Sequence, residues 1–517
     1  MRKQEKLLHI LVIVFLAIQP IIDMDYLIYD FLDQFGLPRL STILRFVVVP
    51  LLLIFSFILR DKKKKRTFIA VGTYGVLLLV YFVLHTKQAA SLVERLAFTD
   101  NFYFNTFQEL TYVLTLVIPY FLVYLIYNEN FNEKEVKLIT CILSASISIT
   151  ILIGDLFVFA RSTYYGYTVG NIFTWFNGIY QAYHPRTLAS KFFFNEGNTI
   201  GILLFMILPM MYYFFYREEN KKNKIYLAAL IFIQSLSMQM LATRVATYGA
   251  VVMPVLFLAI YLFTVLITKT EKFQKTICFV TVIFAAVFAM ILPMTPAVQN
   301  QKVDAKNDTA LLHNGMADLG KEELANADDL VPGSVEYINF YVYMFETYGI
   351  NARYIQSVPS MYYTEYYSYQ VDPKFWVDVT FMPVFDRVSG RQIETIFFNY
   401  KYQNLTQKEK LLGMGYSTFM NGSIVLEQDF KQQIYTLGYI GELLCVLPWI
   451  FVIFYGLYHF IRKFKKLFTL DNLVMAVSAA AGLGGAWLSG HMLDQFITTT
   501  YLALLVAMLL HHIKEAE

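Results

Sequence analysis

The arginines of this 517-residue chain are placed unevenly, and that is its first chemical signal. Arg39, Arg45, Arg95, Arg161, Arg186 and Arg244 stand at one set of ends of long apolar segments, where lysine is scarce. The opposite ends carry mostly lysine, as in Lys62 to Lys65 and Lys221, Lys222 and Lys224. Lysine supplies positive charge alone, whereas guanidinium adds planar, two-pronged binding of phosphate or carboxylate. One reading of the arginine set is an anionic ligand. The other is interfacial snorkelling and salt bridges. Arg244 is the most informative, because Leu241-Ala242-Thr243-Arg244 forms a tight turn between two apolar segments. A charge so close to hydrocarbon is costly and often functional.

Acids and histidines add a second set. Gly413-Met414-Gly415-Tyr416 leads to Glu427-Gln428-Asp429, and Gly438-Tyr439-Ile440-Gly441 opens the next apolar segment. Glu427 or Asp429, partly buried there, can act as a general base; the plainer account is a pair of helix N-terminal acids. His491 follows Gly490, with Asp494 three residues on. This spacing suits a proton relay or, more plainly, a polar cap on a short turn. Asp23-Met24-Asp25 has the spacing of a divalent-cation pair, although acids at the end of an apolar segment are common. No nucleotide loop of the GxxxxGK[ST] type, no HExxH and no dinucleotide fingerprint occurs. Cys141, Cys278 and Cys445 all lie in apolar segments, so neither a disulfide framework nor a CxxC pair is expected.

The elements that must position these residues are membrane helices. Hydrophobic residues make up 57% of the chain and charged ones only 16%, so lipid is the solvent for most of it. About twelve spans are expected, near 7–22, 41–59, 67–85, 110–127, 138–158, 198–216, 225–242, 245–267, 277–294, 434–460, 472–489 and 496–511. Arg2, Lys3 and Lys6 precede the first, which is read as retained because Gln19-Pro20-Ile21-Ile22-Asp23 is not a small-residue cleavage site. Lys and Arg concentrate on alternate short loops, which places both termini in the cytoplasm. The expected organisation is nine helices over 1–294 with an outer loop at 159–197, a large extracytoplasmic domain at 295–433 between helices nine and ten, and three helices over 434–517. Both outer loops are rich in tyrosine, the larger one from Tyr337 to Tyr369. The fold class is thus an all-α polytopic membrane protein.

Taken together, the chain resembles the O-antigen ligase and O-antigen polymerase family of bacterial envelope proteins. The marks are the Gln19-Pro20 end of span one, Arg186 ahead of Asn198-Thr199-Ile200-Gly201, and Thr243-Arg244, where the family usually has Ser-Arg. Gly413-x-Gly415 to Gly438-x-x-Gly441 and Gly490-His491 complete the set. The resemblance implies a metal-independent, cofactor-free glycosyltransferase of the cytoplasmic membrane. It would take a glycan from a polyprenyl pyrophosphate carrier to an acceptor hydroxyl at the outer leaflet. Arg186 and Arg244, with Arg45 and Arg161, would hold the pyrophosphate; Glu427, Asp429 or His491 would take the acceptor proton, and outer tyrosines would stack on sugars. The ligases tend to have a histidine near the end of the large loop. Glu427 and Asp429 stand there instead, which favours a polymerase over a ligase. Flippase and chain-length regulator proteins are the expected partners, and nucleic acid is not. A transporter, and a non-catalytic scaffold, are the competing classes.

Overall fold

The computed structural model describes the chain except residues 1–2, 36–38, 62–63, 97, 158–160, 164–188, 302–315, 326, 328–329, 356–357, 384–385 and 388–389. Its long helices are α1 (Lys3–Ala17), α2 (Leu40–Leu59), α3 (Lys64–Arg95), α4 (Thr106–Glu129), α5 (Glu133–Leu156), α6 (Gly197–Arg217), α7 (Lys221–Met240), α8 (Arg244–Leu266) and α9 (Lys275–Ile291). They continue with α10 (Val335–Met344), α11 (Pro373–Phe381), α12 (Gly390–Gln403), α13 (Asp429–Arg462), α14 (Leu470–Leu488) and α15 (Phe496–Ala516). The strands β1 (Arg161–Ser162) and β2 (Ser190–Phe192) form one short antiparallel pair.

Among the described residues nine helices are long and apolar enough to cross a bilayer. The count is ten if α1 and the segment Gln19–Leu27, bent from it by 49°, make one span. Pro20 sits at that bend and has no N–H to continue the ladder. Two expected spans, α7 and α14, are helical but outside the nine; α7 carries Gln234, Ser235, Ser237 and Gln239 on its buried side. Helix starts follow local chemistry. Asn132 and Glu135 form a reciprocal capping box on α5, Asn220 caps α7 and Thr243 caps α8. Prolines inside α2, α4, α6 and α8 are tolerated as in other membrane helices.

The chain divides into two compact units. The first comprises Met1–Thr73, Leu114–Gln301 and Cys445–Glu517. Its centre is α6, whose most apolar 18-residue stretch is 94% buried against protein. Helix α6 packs chiefly on α14, α8, α7, α5 and α15.

The second unit comprises Tyr74–Val113 and Lys302–Leu444, so it joins parts of expected spans three and four to the large loop. Its core is aromatic, with Phe102, Tyr367, Phe375, Trp376, Phe397 and Phe419 in mutual contact. Several loop tyrosines expected to meet sugars are core residues here. Tyr341, Tyr362 and Tyr367 are buried, and the hydroxyls of Tyr362 and Tyr367 donate to Glu394 and Asp372. Tyr343 remains exposed.

Helix α13 is broken at Gly438, which has a left-handed backbone (φ 71°). Three carbonyls just before the break find new donors. Met414 N–H donates to Tyr435, Gly415 N–H to Thr436 and the Tyr81 hydroxyl to Leu437. A second device holds the same stretch. His85 and Glu109 are fully buried, with His85 Nε2 2.8 Å from Glu109 Oε1 and Nδ1 2.6 Å from the Leu412 carbonyl. The Glu109 carboxylate also accepts the Tyr416 and Ser417 N–H groups. Both ring nitrogens thus face acceptor atoms, which ties His85 to the stretch just before Tyr416.

Candidate functional site

Four of the seven site residues expected from sequence fall in the first unit with described positions, Arg45, Arg161, Arg244 and His491. Arg186 lies outside the described residues. Arg161 opens β1 and is described by its backbone. Glu427 and Asp429 belong to the second unit.

Arg244 is the first helical residue of α8 and is exposed. The Thr243 hydroxyl caps the helix by accepting the Ala246 N–H at 3.4 Å. The preceding Ala242 is left-handed (φ 65°), which turns the chain sharply between α7 and α8. Inside the turn, the Leu241 carbonyl accepts the Thr163 hydroxyl at 2.8 Å. A cation at a helix N-terminus opposes the helix dipole, and a bound anion reverses the sign of that interaction. Arginine and dipole at this position therefore favour the same ligand, an anion.

His491 also lies on a turn, between α14 and α15. Gly490 and His491 are both left-handed, with φ 72° and 54°. For a histidine this is an uncommon conformation that needs support from its surroundings. His491 Nδ1 is 3.0 Å from Asp494 Oδ2, and both side chains are mostly buried. The carboxylate orients the imidazole, as an acid partner orients a general base. The other oxygen, Asp494 Oδ1, has no hydrogen-bond partner among the described residues.

Helix α6 lies between these two turns. A methyl on Gly201 would stand 2.5 Å from Thr243 Oγ1, so glycine allows the Arg244 turn to lie directly on α6. Two residues earlier, the Thr199 hydroxyl donates to the His491 carbonyl at 3.0 Å. The segment Asn198-Thr199-Ile200-Gly201, marked by sequence, thus touches both.

The Asp23-Met24-Asp25 pair has another use than holding a cation. Asp23 is paired with Arg45 Nη1 at 2.9 Å, and Asp25 with Arg39 Nη2 at 2.6 Å. Asp25 also accepts the Ser41 N–H at 2.9 Å. Arg45 is buried, its Nε donates to Gln19 Oε1 at 3.0 Å, and its guanidinium lies 5.1 Å from the centre of the Phe496 ring. Arg45 Nη2 has no partner among the described residues. Gln19 in turn donates to the Phe15 carbonyl at 2.8 Å. Burial disfavours the charge on Arg45, which makes Asp23 its necessary counter-ion. Sequence spacing could not show these pairings, because each joins the segment Gln19–Leu27 to the start of α2, a separate element.

In the second unit, Glu427 is ion-paired with Arg391, and both remain partly exposed. Asp429 is buried at the start of α13. The Gly413 to Gly441 mark is architectural, since it forms the backbone contact that lets α13 break.

One comparison with known proteins bears on these marks. The family model described as O-antigen ligase like membrane protein matches residues 4–516. The chain belongs to this family. No match was found among curated proteins or among solved structures. Membership in the O-antigen ligase-like family, with the apolar helices, makes this a multi-pass membrane protein of envelope glycan assembly. It also implies glycosyltransferase-type chemistry on lipid-linked glycans.

Proposed function

We propose that this protein is a polymerase that joins polyprenyl-pyrophosphate-linked oligosaccharide units into an envelope polysaccharide, without metal or cofactor. In this reading it spans the cytoplasmic membrane about twelve times, with both termini inside and residues 295–433 outside. The acceptor hydroxyl oxygen attacks the anomeric carbon of the donor. The bond from that carbon to the pyrophosphate oxygen breaks, and its electron pair leaves with the polyprenyl pyrophosphate. Arg244 neutralises the departing charge together with the α8 N-terminus. Arg186 is assigned to the same anion by resemblance to the family, and Arg161 and Arg45 as members of the outer arginine set, Arg45 through the guanidinium edge not used by Asp23. The acceptor proton goes to the imidazole of His491, oriented by Asp494. Glu427 and Asp429 are the alternative bases for the same proton.

One observation carries the proposal: in a single unit, the turn that presents Arg244 and the turn that orients His491 both rest on the first turns of α6. The polymerase assignment rests on Glu427 and Asp429 standing where ligases tend to have histidine. The test is Arg244→Ala in a strain lacking the native copy. Polymer should disappear while the variant inserts normally, and single lipid-linked units should accumulate. Polymer of normal length and amount would sink the role of Arg244. Accumulation of long chains on the carrier would make the enzyme a ligase.

A further inference from the structure

We infer that Thr199 is a positioning residue for His491, acting through the His491 backbone. This rests on the reading of His491 as the base. Three observations support it. First, His491 holds a left-handed backbone at φ 54°, directly after left-handed Gly490. A residue with a Cβ keeps such a conformation only when its neighbours impose it. Second, the constraint is visible, because the Thr199 hydroxyl donates to the His491 carbonyl at 3.0 Å, with Glu196 Oε2 the more distant acceptor at 3.4 Å. Thr199 is 2% exposed, so water does not compete for the bond. Third, Thr199 sits in the first turn of α6, a helix enclosed by protein, and is therefore fixed against a rigid element.

The side chain of His491 has its own tether in Asp494. That bond orients the ring once the backbone is in place, but it does not set the backbone. Without the Thr199 bond, His491 relaxes toward the ordinary negative-φ region. The relaxation swings Cβ and withdraws the ring from the acceptor while Asp494 follows it on the same turn. Thr199 therefore governs the proton-transfer step and leaves donor binding alone.

The experiment compares Thr199→Val, Thr199→Ser and His491→Ala as purified full-length proteins transferring a lipid-linked glycan, with melting temperatures recorded for each. Thr199→Val should lower kcat roughly tenfold or more, the scale of a lost orienting partner, with donor KM unchanged. Thr199→Ser, which keeps the hydroxyl, should restore kcat. In the His491→Ala background Thr199→Val should cost nothing further, because its effect runs through the missing ring. An equal loss in both backgrounds would make Thr199 merely structural and overturn the inference, as would wild-type kcat for folded Thr199→Val. Full activity of His491→Ala would instead bring down the base assignment, and this inference with it.

Discussion

Gly413 and Gly438 meet backbone to backbone, and neither position has room for a side chain. A Cβ on Gly438 would collide with the Gly413 nitrogen and lie 2.6 Å from the Leu411 carbonyl carbon. Both residues are left-handed. Gly438→Ala should therefore lower the melting temperature well beyond what its dihedral angles alone (φ 71°, ψ 177°) would cost, about 1–3 kcal/mol. Gly333→Ala supplies the comparison, because Gly333 is also left-handed (φ 82°) but has open space around it. Equal losses in the two variants would show that the close approach does not matter.

The Arg45–Asp23 pair makes a prediction with two signs. Arg45→Met leaves buried Asp23 with only the more distant Arg39, 3.7 Å away, and should destabilise by up to about 3–5 kcal/mol. The double variant Asp23→Leu/Arg45→Met removes both charges and should recover much of that loss. Thermal unfolding of the purified proteins reads both. A double variant no better than Arg45→Met would mean that the pair is not the unit of stability here.

Lys401 links the stability of the second unit to pH. Its ammonium is buried, donates to the Leu96 carbonyl and to Tyr367, and is ringed by Phe98, Tyr367, Phe397 and Tyr400. Burial pulls its pKa down to about 8, against a partial opposing effect of Asp372. Below pH 8 the lysine is charged in both folded and unfolded chains, and the cost of burying that charge is fully present. Between about 8 and the ordinary value of 10.5 the folded chain loses the proton first, so stability rises with pH in that window. The gain is about 3 kcal/mol at most. Melting temperatures of wild type and Lys401→Met, followed from pH 7.5 to 9.5, should move apart in favour of wild type as pH rises. A constant offset would refute the link.

Much of this fold was legible because lipid imposes simple rules. Long apolar segments must be helices, and the sequence-based boundaries of α5, α6, α8 and α15 lie within a few residues of those observed. The departures have local causes. Helix α3 runs on to Arg95 because His85 and Gln88, polar residues near its expected end, find partners in buried Glu109 and in the Glu409 and Gly413 carbonyls. Those partners lie up to 325 residues away, and no periodicity announces them.

The candidate site was legible as residue types rather than as pairings. His491 and Asp494 could be joined from their spacing of three, which is one helical turn. Arg45 and Asp23 could not, because residues 22 apart on separate elements carry no spacing rule. Thr199 was visible only as part of a motif, since its hydrogen bond to His491 reaches across 292 residues. The tyrosines misled for a physical reason. Tyrosine suits a sugar platform and an amphipathic core equally, and composition does not separate the two.

The enclosure of α6 also has a consequence for biogenesis. Helix α6 passes the hydropathy test for a span, yet protein surrounds it almost completely. Two of the helices that wrap it, α14 and α15, are synthesised more than 250 residues later. Until they emerge from the ribosome, the flank that they will cover must be shielded by lipid or by the insertion machinery. The first unit thus closes only at the end of translation, and a chain released before Leu470 would present quality control with an open seam along its central helix.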